Sequence, residues 1–222
     1  MEKRFFASII TTFLFVAVSS CDKDKDENSI QTPFSGELSG VIAGELANWD
    51  FVIMSFDGGD FKDNVETTPI IDGKFSFSSL PTPKQEELKS FINSEIPIDM
   101  IDVQISDKSA KVCQMSLLAI KGDTGASYEE RSIVQGVYSY TYPNTFFVDI
   151  VMYYYADKDL KIKGSWSGTN MGVNFSSEVE INLKRGWNTL HLTQSGTEEN
   201  SITNLKNGVP TSGTAWTGVI FQ

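Results

Sequence analysis

The chain has 222 residues, a formal net charge of −11, 40% apolar and 12% aromatic residues, two cysteines and a single histidine. An acidic chain without a basic stripe excludes nucleic acid, whose phosphates require clustered Lys and Arg. Two cysteines are too few for a disulfide framework, and the lone His191 rules out a structural zinc site and any mechanism needing two imidazoles.

In chain order, Lys3 and Arg4 precede an apolar run from Phe5 to Val18. As a helix this run reaches about 21 Å, short of the roughly 30 Å hydrocarbon core of a bilayer. Residues 1–20 are therefore expected to be a secretory signal rather than a permanent span. The segment Val18-Ser19-Ser20-Cys21 resembles the lipobox of bacterial lipoproteins. That resemblance implies a diacylglycerol thioether on Cys21, cleavage before it, and acylation of its new amine with a fatty acid such as palmitate. One acyl chain binds a membrane marginally, while two or more anchor it stably.

Asp22-Lys23-Asp24-Lys25-Asp26-Glu27-Asn28 cannot bury apolar area, so residues 21–34 read as a solvated tether. This acid-rich stretch, Lys25-Asp26-Glu27 above all, resembles the export signal of surface-displayed lipoproteins in Bacteroidota. The resemblance implies a lipid anchor in the outer membrane, with surface display favoured over a periplasmic face.

Residues 35–222 read as an all-β body, with a candidate internal boundary near 97–110. Leu38, Val41 and Ile42 open it, "WDFVIMSF" follows at 49–56, and Asp72-Gly73 is a turn signal before the alternating Phe75 and Phe77. One short helix is predicted near 83–95. Thr82 and Gln85 form a capping box, Pro83 suits the first helical position, and Leu88, Phe91 and Ile92 make an apolar stripe.

Strands then resume at 111–120, 132–142 and 145–155. The last is apolar on both parities, which predicts a central strand between two layers. Leu160 and Ile162, then Val179, Ile181 and Leu183, then Leu190 and Leu192 predict inward faces on three further strands. "TAWTGVIF" at 214–221 closes the chain. Short strands with turn signals between them predict an antiparallel β-sandwich.

The order "SGVIAG", "FVIMSF", "TTPIIDGKFSFSSLP" within 36–81 resembles the carboxypeptidase regulatory-like (prealbumin-like) sandwich, although the glycine-rich first hairpin of that family is less clear here. "YYYADKDLKIKG" and "NLKRGWNTLHL" are similar to segments of uncharacterised lipoproteins of the same phylum, which implies kinship and no particular activity.

The candidate chemistry is sparse. "FDGGDFKDN" at 56–64 offers Asp57, Asp60, Asp63 and Asn64 as oxygen ligands for Ca²⁺, without the spacing of an EF-hand. Turn chemistry explains the same composition, and no cofactor is expected. Asp149 is an acid inside an apolar strand, and Glu178 and Glu180 alternate on one face; together they are the raw material of a polysaccharide hydrolase. The serines of "GSWSG" at 164–168 lack a nucleophile elbow. Cys113 reads as a small buried hydrophobe.

Aromatic residues carry the binding hypothesis. Trp187 shares a parity with Thr189 and His191, opposite Leu190 and Leu192, and Trp166 continues the inward parity of Ile162. Trp187, His191 and Trp166 are therefore the candidate ligand-binding residues, for a glycan or protein partner. The sequence favours a non-catalytic binding or accessory subunit over a small polysaccharide-acting hydrolase or a structural, adhesin-like component.

Overall fold

The computed structural model describes residues 37–56, 65–91, 101–123, 127–141, 145–170, 172–209 and 215–218. Among these it is an all-β sandwich. A two-stranded antiparallel sheet pairs β1 (Leu38–Val41) with β4 (Lys74–Phe77). It packs on a large twelve-stranded sheet formed from the remaining strands.

The main path of the large sheet begins with β3 (Glu66–Pro69), β2 (Phe51–Phe56), β7 (Lys111–Asp123), β8 (Ser127–Thr141) and β9 (Thr145–Ala156). It continues through β12 (Gly186–Thr197), β13 (Asn200–Asn207), β11 (Val173–Leu183), β10 (Leu160–Asn170) and β6 (Ile101–Ile105). Off this path, β5 (Lys89–Ser90) pairs with β7, and β14 (Trp216–Gly218) pairs with β8. A single 3₁₀ turn, Gly44–Asn48, links β1 to β2.

Local chemistry explains much of this. Asp72 and Gly73 both take positive φ, 50° and 70°, and Ile71 and Lys74 exchange two backbone hydrogen bonds of 2.9 Å. That is the two-residue hairpin whose twist matches its strands, and it sends Phe75 and Phe77 inward at 3% and 1% exposure. The β9 reading also holds. Val151 and Tyr153 enter one core while Val148, Ile150, Tyr154 and Ala156 enter the other. A strand buried on both faces has no polar alternation to keep, which is why its sequence is apolar throughout.

The first core is rich in aromatic rings and sulfur. Trp216 stacks on Tyr153 at 6.0 Å and 12°, meets Phe75 edge-on at 5.3 Å, and lies with Met54, Cys113 and Met115 under the small sheet. The second is mostly aliphatic, built from Leu160, Ile162, Val179, Ile181, Leu190 and Leu192 on the other face of the large sheet.

Two expectations are corrected. No helix forms over residues 83–91; Gln85–Glu87 make a turn, closed by a 3.0 Å bond from the Glu87 N–H to the Lys84 carbonyl, and β5 pairs with β7. The reason lies in packing, since Leu88 joins the first core and Phe91 the second. A helix would place these i, i+3 residues on one face, whereas an irregular, extended segment can deliver them to opposite faces. Residues 92–95 lie outside the described residues.

The sandwich is also not wholly antiparallel. β13 returns from its hairpin with β12 and inserts beside β11, so those two run parallel, Asn174↔Asn200 through Glu180↔Lys206. The strands are moreover long, several of eleven to fifteen residues; β7 runs to Asp123 and β8 starts at Ser127, beyond the bounds 111–120 and 132–142 expected from the sequence.

Candidate functional site

The chain's single histidine meets the acid of the apolar strand β9. Asp149 on β9 and His191 on β12 share the parity of Val151 and Tyr153, and Asp149 lies opposite Thr193, two pairs along from His191↔Val151. His191 Nε2 stands 2.5 Å from Asp149 Oδ1, with the two side chains 11% and 13% exposed. An ionised carboxylate only accepts, so the imidazole donates from Nε2. An acid among apolar neighbours thus finds its partner in the adjacent strand, 42 residues away.

A glycine sets the position of this pair. Gly136 on β8 has φ +133°, and a Cβ there would lie 2.1 Å from the Asp149 carbonyl oxygen. Only glycine tolerates both the backbone conformation and the approach of the two strands. One residue earlier, the Gln135 amide oxygen accepts a 2.6 Å hydrogen bond from the Tyr153 hydroxyl. Burial pushes the Tyr153 phenol well above its ordinary value, so it stays a donor.

The pair stands where the first core gives way to open sheet. Beyond it, residues of one parity form a face readable from the register. One row is Val137, Asp149, Thr193, Asn204 and Glu178 across β8, β9, β12, β13 and β11. The next is Ser139, Phe147, Ser195, Ile202 and Ser176. Val137, Phe147 and Ile202 are 40%, 43% and 55% exposed. Three exposed apolar side chains therefore border a half-buried Asp–His pair and a polar field of Thr193, Asn204 and Ser195.

The residues singled out from the sequence fall differently. Trp187 does not face solvent, as a stacking platform would require. It is 6% exposed, edge-on to Tyr155 at 5.6 Å, tilted on Phe56 at 6.0 Å, and its Nε1–H donates to the Pro81 carbonyl at 3.1 Å. Its parity is that of His191, as predicted, but at this end of β12 the small sheet and its flanking chain cover that face. Buried Asn188 fixes the entry to β12: its Nδ2 donates to the Lys184 and Gly186 carbonyls, and its Oδ1 accepts from the Lys184 N–H.

His191 lies on the platform, and Trp166 lies on the opposite face against the second core, so the three predicted residues do not form one patch. Asp57, Asp60 and Asp63 lie outside the described residues. Among the described residues no group of three or more His, Cys, Asp or Glu side chains is placed to hold a metal ion. Cys113 is fully buried.

The carboxylates are also dispersed. Asp149 and Glu178 occupy one row with two strands between them, three spacings or about 14 Å. The paired acids of glycosidases stand roughly 5–9.5 Å apart. Glu180 and Lys163 form a surface pair at 3.0 Å.

Val137, Phe147, Ile202, Thr193 and Asn204 carried no signal in the sequence beyond unremarkable alternation, since only the register assembles them. The Asp149–His191 pair had one available clue, an acid within an apolar strand in a chain with a single histidine. No family model, curated protein or solved structure matches the chain.

Proposed function

We propose that this is a lipid-anchored cell-envelope protein of the outer membrane, acting as a non-catalytic binding or accessory subunit that docks a partner protein on the outer face of β8, β9, β12 and β13. The observation that carries the reading is the grouping of Val137, Phe147 and Ile202 beside the Asp149–His191 pair. Exposed apolar side chains clustered with polar groups are the composition of protein interfaces, and a mostly buried, hydrogen-bonded Asp–His pair at their edge supplies directional specificity. The anchor is supported by the resemblance of Val18-Ser19-Ser20-Cys21 to a lipobox, followed by an acid-rich tether.

The hydrolase reading is less well supported. It requires a second carboxylate within reach of Asp149, and Glu178 stands about 14 Å away along its row.

A photo-crosslinking amino acid installed at Phe147 or Ile202 in cells tests the docking face. A discrete envelope-protein adduct is expected from both positions and not from Lys108 in the β6–β7 turn. The docking reading fails if positions 147 and 202 give no adduct, or the same adducts as 108. The anchor is tested separately: Cys21→Ala should move the protein from the membrane to the soluble fraction, and unchanged fractionation refutes it.

A further inference from the structure

The open face of β8, β9, β12 and β13 continues across β11 and β10. The row of Phe147 runs Ser139, Phe147, Ser195, Ile202, Ser176 and Ser167. The row beyond it holds Thr145, Thr197, Asn200, Asn174 and Thr169, with Thr197 and Asn200 flanking the β12–β13 turn. Every one of these residues is exposed and uncharged, in a chain that carries 29 acids and 18 bases.

An uncharged face offers an unlike protein no charge to recognise. It does let two copies of this acidic chain, each at −11, meet without like-charge repulsion. Hydroxyl and amide side chains both donate and accept, so Ser, Thr and Asn can pair with their own kind, whereas a carboxylate or an ammonium cannot. Part of the array is already ordered. Thr169 Oγ1 donates to Asn174 Oδ1 at 2.8 Å, and Asn174 Nδ2 donates to Asn200 Oδ1 at 3.4 Å. With the row of Asp149, three rows at about 6.8 Å and six strands at about 4.8 Å cover roughly 600 Å² per copy. That makes about 1,200 Å² in all, the lower end for a specific interface.

The charges at the two borders are complementary. Beyond the uncharged rows, the β12–β13 turn carries exposed Glu198 and Glu199. On the other side, the row of His191 holds exposed Lys206, whose neighbour Glu180 is paired with Lys163 at 3.0 Å. Among the described residues Lys206, Glu198 and Glu199 have no ion-pair partner. The acidic turn lies as far beyond Ser195 as the His191↔Lys206 pair lies before it. A twofold axis lying in the face, along the row of Ser195 and across the strands, therefore sets the turn acids of each copy over Lys206 of the other.

We infer that the partner of this face is a second copy of the chain, joined in an isologous dimer about that axis. The inference rests on the docking reading and names its partner.

Two differently tagged full-length copies expressed together in cells, one with a photo-crosslinking amino acid at Ile202, provide the test. An adduct bearing both tags is expected. Lys206→Glu in both copies, or Glu198→Lys with Glu199→Lys in both copies, should lower its yield about tenfold, because each sets like charges against one another. Placing Lys206→Glu in one copy and the paired turn substitutions in the other restores opposite charges at both contacts. The adduct should then return, which also shows that both variants fold. Adducts that join one tagged copy to a different protein overturn the inference and leave the docking reading standing, whereas no adduct at all overturns both. A two-tag adduct indifferent to the charge variants, or one that the mixed pair does not restore, overturns the inference as well.

Discussion

The two ends of β12 differ in what covers them. At its start, Trp187 is enclosed by Phe56, Tyr155 and the Pro81 carbonyl. Two and four residues on, at the same parity, Thr189 and His191 reach the edge of that cover, and by Ser195 the face is open. A strand carries one alternation along its whole length, but the layer above it has an end. Parity therefore tells which residues share a face, while burial depends on which other chain segments lie over that face. The lesson applies equally to the inner side, where the same strand passes from Leu190 and Leu192 to Gln194.

That contrast can be broken at either end. Trp187→Ala should be the costliest change, about 3–5 kcal/mol, because a large buried ring and its hydrogen bond to Pro81 are lost. Leu190→Ala, fully buried in the other core, should cost about 2–5 kcal/mol. Urea unfolding measures both. A Trp187→Ala loss below 1 kcal/mol would mean that this end of β12 is not closed as described.

The middle of the strand pair responds through its backbone. Gly136→Ala should lose roughly 1–3 kcal/mol, since alanine there meets the Asp149 carbonyl in a conformation L-residues avoid. A double-mutant cycle on Asp149→Asn and His191→Gln should return a coupling of about 1–2 kcal/mol, the scale of a side-chain hydrogen bond in a partly buried pair. Zero coupling would make the two side chains neighbours without an interaction. Phe147→Ala should change stability by no more than about 0.5 kcal/mol while weakening partner docking, and a large loss of stability would place that ring in the core instead.

The smallest effect belongs to a turn. Asp159 accepts from Lys184 Nζ at 2.8 Å and from the Arg185 N–H at 3.0 Å, tying the β9–β10 turn to the β11–β12 turn. These contacts, the Lys184 ammonium first, hold its carboxyl below the ordinary value. A depressed folded pKa stabilises the fold above the unfolded carboxylate value of about 3.9 and loses that contribution as pH falls through the folded value. Asp159→Asn should therefore lower the urea midpoint slightly at neutral pH, and the difference should vanish in strong acid. A difference that persists there would assign the effect to shape rather than charge.

Several features were legible because they are local. The Asp72-Gly73 hairpin, the inward sets Leu160/Ile162 and Val179/Ile181/Leu183, and the two-sided burial of β9 all follow from period two and turn chemistry within a dozen residues. The predicted helix failed for the complementary reason. Its capping pattern and stripe were satisfactory on their own, yet Leu88 and Phe91 are claimed by different cores. Tertiary packing outweighs a marginal isolated helix of three turns.

The candidate sites belong to the second category. The sequence by itself determined an all-β chain, the strand faces, and that Asp149 was an acid within an apolar strand while His191 shared the parity of Trp187. Only the tertiary structure decided that they meet, that Trp187 is enclosed, and that Trp166, Ser177, Thr203 and Gln194 share one row across four strands. The physical reason is that a strand's hydrogen bonds go to other strands. Alternation is written within one segment, while register, order and cover are set by pairings tens of residues apart, including the parallel insertion of β13 beside β11.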